Sequence, residues 1–67
     1  MNIYVNEEVK EIGEAVNVAD LVHSLDIKRQ KGIAVAVDNQ VITRDLWAQY
    51  YLKENARVVI ITATQGG

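Results

Sequence analysis

The chain has no cysteine, no phenylalanine and a single histidine. Without cysteine there is no disulfide, no thiol nucleophile and no thiolate ligand, and His23 alone cannot hold a metal ion. Domains shorter than about 70 residues often lean on a disulfide or metal staple, so this one, at 67 residues, must rely on packing. Its stability margin is expected to be thin, because so short a chain buries only about 60% of the surface its unfolded form exposes. An excess of positive charge is lacking too: seven basic residues stand against nine acidic, for a net charge of −2, which leaves no footprint for a phosphate backbone. Nucleic acid is therefore not an expected partner. Apolar runs such as "VVII" are far short of the roughly 20 residues that cross a bilayer. The first residues also lack the basic and apolar regions of a signal peptide. No membrane association and a cytoplasmic location are expected.

What the chain does have is aliphatic. Apolar residues make up 49% of it, supplied mostly by Val, Ile, Ala and Leu, with Trp47 the one tryptophan. "NIYVN" (Asn2 to Asn6) alternates, placing Ile3 and Val5 on one face of a strand and Tyr4 on the other. Asn6-Glu7-Glu8 can turn into a second alternating segment, Val9 to Ile12, so a hairpin is expected that Gly13 ends. The period then changes: Val18, Leu21, Val22 and Leu25 stand at i, i+3, i+4 and i+7, on one helical face. Asn17 is placed to cap that helix, Asp20 to complement its dipole, and "KRQKG" (Lys28 to Gly32) to end it. "IAVAV" (Ile33 to Val37) reads as a strand with a bulky face and an alanine face. Asp38-Asn39-Gln40 turns into a short strand "VIT", and Thr43 is placed to cap a brief helical segment containing Leu46 and Trp47. The last strand, Arg57 to about Ala63, is apolar on both parities. Such a strand is either covered on both sides or open toward a partner. The fold class is α+β: a mixed sheet of four to five strands with one main helix packed across it and a short second helical segment.

Candidate chemistry in the body is sparse. His23 with Ser24 beside it suggests a hydrolase only superficially, since His23 lies off the apolar stripe of its helix, where a solvated side chain is expected. Glu7 and Glu8 read as a solvated turn, and Lys28, Arg29 and Lys31 as a helix end that could also guide an acidic partner. Tyr50 and Tyr51 beside Trp47 read as packing and rim residues. No phosphate-cradling glycine loop and no metal-ligand spacing occur. The domain is expected to perform no catalysis unaided and to bind no cofactor.

One unusual group remains. The sequence closes on "TATQGG", and the α-carboxylate of Gly67 would be ionised at neutral pH, with an ordinary pKa of about 3.3–3.7. Thr64 to Gly67, extended, reach about 13 Å. The two glycines, lacking Cβ atoms, could thread a slot too narrow for other residues. A domain over residues 1–63 and a flexible tail over 64–67 is the expected division. Within the last strand, Val58 and Ile60 are expected to face the helix, and Val59 and Ile61 to face outward as a patch for docking transient partners.

Together these features resemble a known family. "MNIYVNEE", "VNVADLVHSLD", "GIAVAVDNQVITRDLWAQYYL" and "VVIITATQGG" run along the whole chain like the ubiquitin-like sulfur carriers of bacterial thiamine biosynthesis. "AVAVDNQVITRDLW" and the terminal Gly-Gly are the specific pair of signals. Before the last strand the family often has Gly-Asp, where this chain has Asn55-Ala56. The resemblance implies a β-grasp fold and a protein that is a co-substrate rather than an enzyme. An ATP-dependent adenylyltransferase, related to ubiquitin-activating enzymes, would attach AMP to the Gly67 carboxylate. A persulfide sulfur donor would displace it to leave a thiocarboxylate, and thiazole synthase would receive the sulfur. Gly67 would be the modified residue, with Gly66 and Gln65 serving access; ATP would be used by the activating enzyme and not held by this chain. The alternatives are the small sulfur-carrier subunit of molybdopterin synthase, and a β-grasp interaction module whose Gly-Gly is incidental.

Overall fold

The computed structural model describes residues 1–25 and 32–62. Among the described residues the elements follow in the order β1 (Asn2–Val5), β2 (Glu8–Glu11), α1 (Val18–Ser24), β3 (Ile33–Val37), β4 (Gln40–Ile42), a 3-10 turn (Arg44–Leu46) and β5 (Arg57–Thr62). The strands form a single mixed sheet in the order β2-β1-β5-β3-β4. β5 lies at its centre, parallel to β1 and antiparallel to β3. A central last strand with a helix across one face is the expected β-grasp arrangement.

Both hairpins close with two residues in the left-handed region. Asn6 and Glu7 have φ of 49° and 71°, and Asp38 and Asn39 have φ of 51° and 69°. Positive φ at both central residues matches the right-handed twist of the flanking strands, and Asn and Asp tolerate it better than other residues with a Cβ. The two turns are thus one residue shorter than the sequence suggested, since Val5 pairs Glu8 and Val37 pairs Gln40. Asn55 supplies the same conformation before β5, with φ of 68°. There the Asn55-Ala56 departure does what a glycine commonly does, while Ala56 is buried in the core. Gly13 does not take a positive φ; Ala15 does, at 58°.

The helix is as the spacing predicts, but shorter. Val18, Leu21 and Val22 are buried, Leu25 is the C-cap residue, and Lys28, Arg29 and Lys31 lie outside the described residues. Seven residues would not hold a helix in isolation. All four amides of its first turn are nevertheless taken, two by tertiary bonds to the 47–52 loop and two by the N-cap residue Asn17. Val18 N donates to the Tyr50 carbonyl at 3.0 Å, Ala19 N to Trp47 at 3.2 Å, and Leu21 N to Asn17 at 3.0 Å. Asp20 N donates to Asn17 Oδ1 at 2.7 Å, as the cap prediction requires. Asn17 Nδ2 also donates to the Ala48 carbonyl at 3.0 Å, so one side chain joins the helix to the 47–52 loop. By contrast, Thr43 occupies the N-cap position of the 3-10 turn without a side-chain cap bond. Its backbone carbonyl accepts from Leu46 N at 2.8 Å instead, which satisfies the tighter i, i+3 turn.

The core lies between α1 and the sheet. Ile3, Val35, Val37, Ile42 and Val58 come from the strands, Val18, Leu21 and Val22 from the helix, and Trp47, Leu52 and Ala56 from the connection before β5. Trp47 Nε1 donates to the Ile42 carbonyl at 2.9 Å, so the largest core side chain brings no unpaired polar atom with it. Arg44 lies over its indole, 5.5 Å from the ring centroid. The Arg-x-x-Trp spacing thus becomes a cation–π contact across the 3-10 turn.

Candidate functional site on the last strand

β5 carries the site because it is central to the sheet and leads toward the C-terminus. Its alternation is resolved by burial: Val58 is 1% exposed and Ile60 half-buried, whereas Val59 and Ile61 are 45% and 59% exposed. The orientation read from the sequence is the one observed. The rows of paired residues extend this outward face beyond β5. Val59 pairs Ala36, which pairs Val41; Ile61 pairs Ala34; Arg57 pairs Tyr4, which pairs Val9. Paired residues share a face, so Tyr4, Val9, Val41, Val59 and Ile61, all exposed, stand on the side opposite the helix. Ala34 and Ala36 between them keep the face shallow. Arg57 lies over the Tyr4 ring, 5.9 Å from its centroid, and adds a cation at one margin.

Two side chains from the hairpin turns grip the backbone of β5. Asp38 N donates to the Arg57 carbonyl at 2.8 Å, while Arg57 N donates to Asp38 Oδ1 at 3.0 Å. On the other side, Asn6 N donates to the Val58 carbonyl at 2.9 Å. The Asn6 amide then meets Ile60: Oδ1 accepts from Ile60 N at 2.9 Å, and Nδ2 approaches the Ile60 carbonyl at 3.4 Å. The strand is thereby secured at its start and near its end by turn residues from both neighbours.

A model of the ThiS family matches the chain over residues 1–67. The chain belongs to the ThiS family. Among curated relatives, the sulfur carrier protein ThiS of Escherichia coli (strain K12) is 28% identical over 67 residues, with all of both chains covered. Among solved structures, the crystal structure of the thiamine biosynthesis protein ThiS from Geobacter metallireducens is similar with a TM-score of 0.87 and 23% identity, covering all of both chains. A solution structure of a thiamine biosynthesis protein from the same organism gives a TM-score of 0.82 at 23% identity, covering all of this chain and 88% of the other. The fold is thus the ubiquitin-like β-grasp of the ThiS family.

Of the predicted site residues, Val59 and Ile61 are brought together on the open face. Gln65, Gly66 and Gly67 lie outside the described residues. His23, Glu7 and Glu8 are exposed, Tyr51 is exposed and Tyr50 half-buried, which agrees with their reading as solvated or rim residues. Among the described residues no group of His, Cys, Asp or Glu is arranged to hold a metal, and no helix is long and apolar enough to cross a membrane. Sequence reasoning missed the outward company of Val59 and Ile61, namely Tyr4, Val9 and Val41, because strand order is needed to unite them. It also missed the grips of Asn6 and Asp38, although Asn and Asp at turn positions are the available signal.

Proposed function

We propose that this ThiS-family chain is the sulfur carrier of thiazole formation in thiamine biosynthesis, with the Gly67 carboxylate as its working group. A carboxylate oxygen of Gly67 attacks the α-phosphorus of ATP on a ubiquitin-activating-enzyme-like adenylyltransferase, and pyrophosphate leaves. The terminal sulfur of a persulfide then attacks the acyl carbon and AMP leaves; a thiol cleaves the resulting sulfur–sulfur bond, freeing the thiocarboxylate. Compared with oxygen, that sulfur is the softer nucleophile and passes to a ketone intermediate on thiazole synthase, after which the carboxylate is regenerated. Gly66 and Gln65 give the tail access to these sites, and ATP is consumed by the partner. The family match over residues 1–67 carries this reading.

The shallow apolar face around Val59 and Ile61 supports it as the docking surface for the adenylyltransferase. It includes the outward residues of the strand that directly precedes residues 63–67 in sequence. Its few exposed aliphatic side chains suit a transient encounter better than a permanent interface. The deciding experiment incubates the protein with ATP and cell extract and weighs it intact. An oxygen-to-sulfur mass change on the C-terminal fragment is expected. A tail left unmodified, under conditions that modify an established carrier, would overturn the reading.

A further inference from the structure

Backbone pairing between β1 and β5 ends at Val5 and Val58, because the chain turns away at Asn6. Polar groups along a strand point alternately to its two neighbours. The Val58 carbonyl is taken by Asn6 N, so the N–H and C=O of Ile60 face the same side, where β1 no longer runs. The backbone N–H and C=O groups of Val59 and Ile61 point to β3, which pairs with β5 as far as Thr62. Past Val58, β5 would therefore be held from one side only. The Asn6 side chain fills this gap. A primary amide offers a donor and an acceptor in one plane, as a peptide unit does, and here the two meet the N–H of Ile60 at 2.9 Å and its C=O at 3.4 Å. It acts as a one-residue extension of β1.

We propose that Asn6 is a positioning residue for the C-terminal tail, fixing the end of β5 from the β1 side and so setting the direction in which residues 63–67 are presented to the activating enzyme. The proposal rests on the tail chemistry above. Its physical basis is that a strand end bonded on both sides is held to a narrower range of directions than one bonded on a single side. Small misplacements far from a reacting atom can lower a rate severely. A preference for positive φ would explain an asparagine in this turn by itself, since φ is 49°. The test must therefore separate turn from amide.

Asn6→Gly does so, because glycine accepts the turn and removes only the amide. Asn6→Asp, which keeps an acceptor for Ile60 N–H and loses the donor, is the second variant. Amide exchange, adenylation by the partner enzyme and affinity for that enzyme without ATP are measured on full-length chains. For Asn6→Gly, exchange at Ile60 should rise about tenfold while Val59 and Ile61 keep their rates. The kcat/KM of adenylation should fall about fivefold to tenfold. Affinity for the enzyme should stay within about twofold, and Asn6→Asp should fall between the wild type and Asn6→Gly. Wild-type adenylation by Asn6→Gly overturns the positioning role alone, as does a uniform rise in exchange at all three amides, which is plain loss of stability. A wild-type chain that accepts no AMP overturns the functional reading and the tail role with it, whatever the exchange rates show.

Discussion

At the indole of Trp47, packing and hydrogen bonding are inseparable. The ring is buried, its Nε1 donates to the Ile42 carbonyl, and the Arg44 guanidinium lies over it. Phenylalanine would keep an aromatic body but leave the Ile42 carbonyl without this donor and a void where the second ring had been. Trp47→Phe should therefore lower stability by about 2–3 kcal/mol. In a domain of this size that is a drop in melting temperature of roughly 10 °C or more, measurable by calorimetry. A melting temperature unchanged within error would show that the bond and the second ring contribute nothing. The same scale explains why the turns contain Asn6, Asp38, Asn39 and Asn55. Each has a positive φ, and Asn6 and Asp38 in addition bond the backbone of β5.

At the scale of the element, α1 shows how a helix of one and a half to two turns persists. Its amphipathic stripe supplies three buried side chains, and its first turn is docked on the 47–52 loop by backbone and Asn17 bonds. Asn17→Ala removes the cap to Asp20 N and the bond to the Ala48 carbonyl together. Loss of a cap alone typically costs about 1 kcal/mol, so a total of about 1–2 kcal/mol is expected in urea unfolding, with an unchanged m-value. Asn17→Asp keeps the Oδ1 acceptor and should recover the cap portion. Equal losses for the two variants would place the whole effect in the bond to Ala48. The connection is legible only in part from sequence: Asn17 before an i, i+3, i+4 stripe announces a cap, but nothing local announces that Trp47 and Tyr50 carbonyls will receive Val18 and Ala19.

Across the whole molecule, the sheet divides labour between its two faces. The inner face carries Ile3, Val35, Val37 and Val58 against the helix, while the outer carries Tyr4, Val9, Val41, Val59 and Ile61 uncovered. Docking on the outer face predicts that Ile61→Lys leaves the fold intact, since surface substitutions usually shift stability by no more than about 0.5 kcal/mol. It should reduce kcat/KM for adenylation about tenfold, the effect of losing roughly 1.4 kcal/mol at an interface. Val41→Lys, on β4 and farther from the strand that leads into the tail, should have a smaller effect. Unaltered activation kinetics for Ile61→Lys, with a normal melting curve, would remove Val59 and Ile61 from the docking surface.

The sequence by itself determined the strands, the helix, its cap and the parity of β5, because each depends on a short-range period or on a side chain bonding a neighbour within three residues. It also carried the resemblance, through "AVAVDNQVITRDLW" and the Gly-Gly ending, that the family match bears out. Beyond the two hairpins, tertiary structure alone decided which strands stand side by side. That order joins Tyr4, Val9 and Val41 to the outward residues of β5, and sets Asn6 against Ile60, 54 positions away. Such long-range contacts follow from how the faces close around one core. No local pattern encodes them, since the same alternating strands would satisfy their own periods in another order.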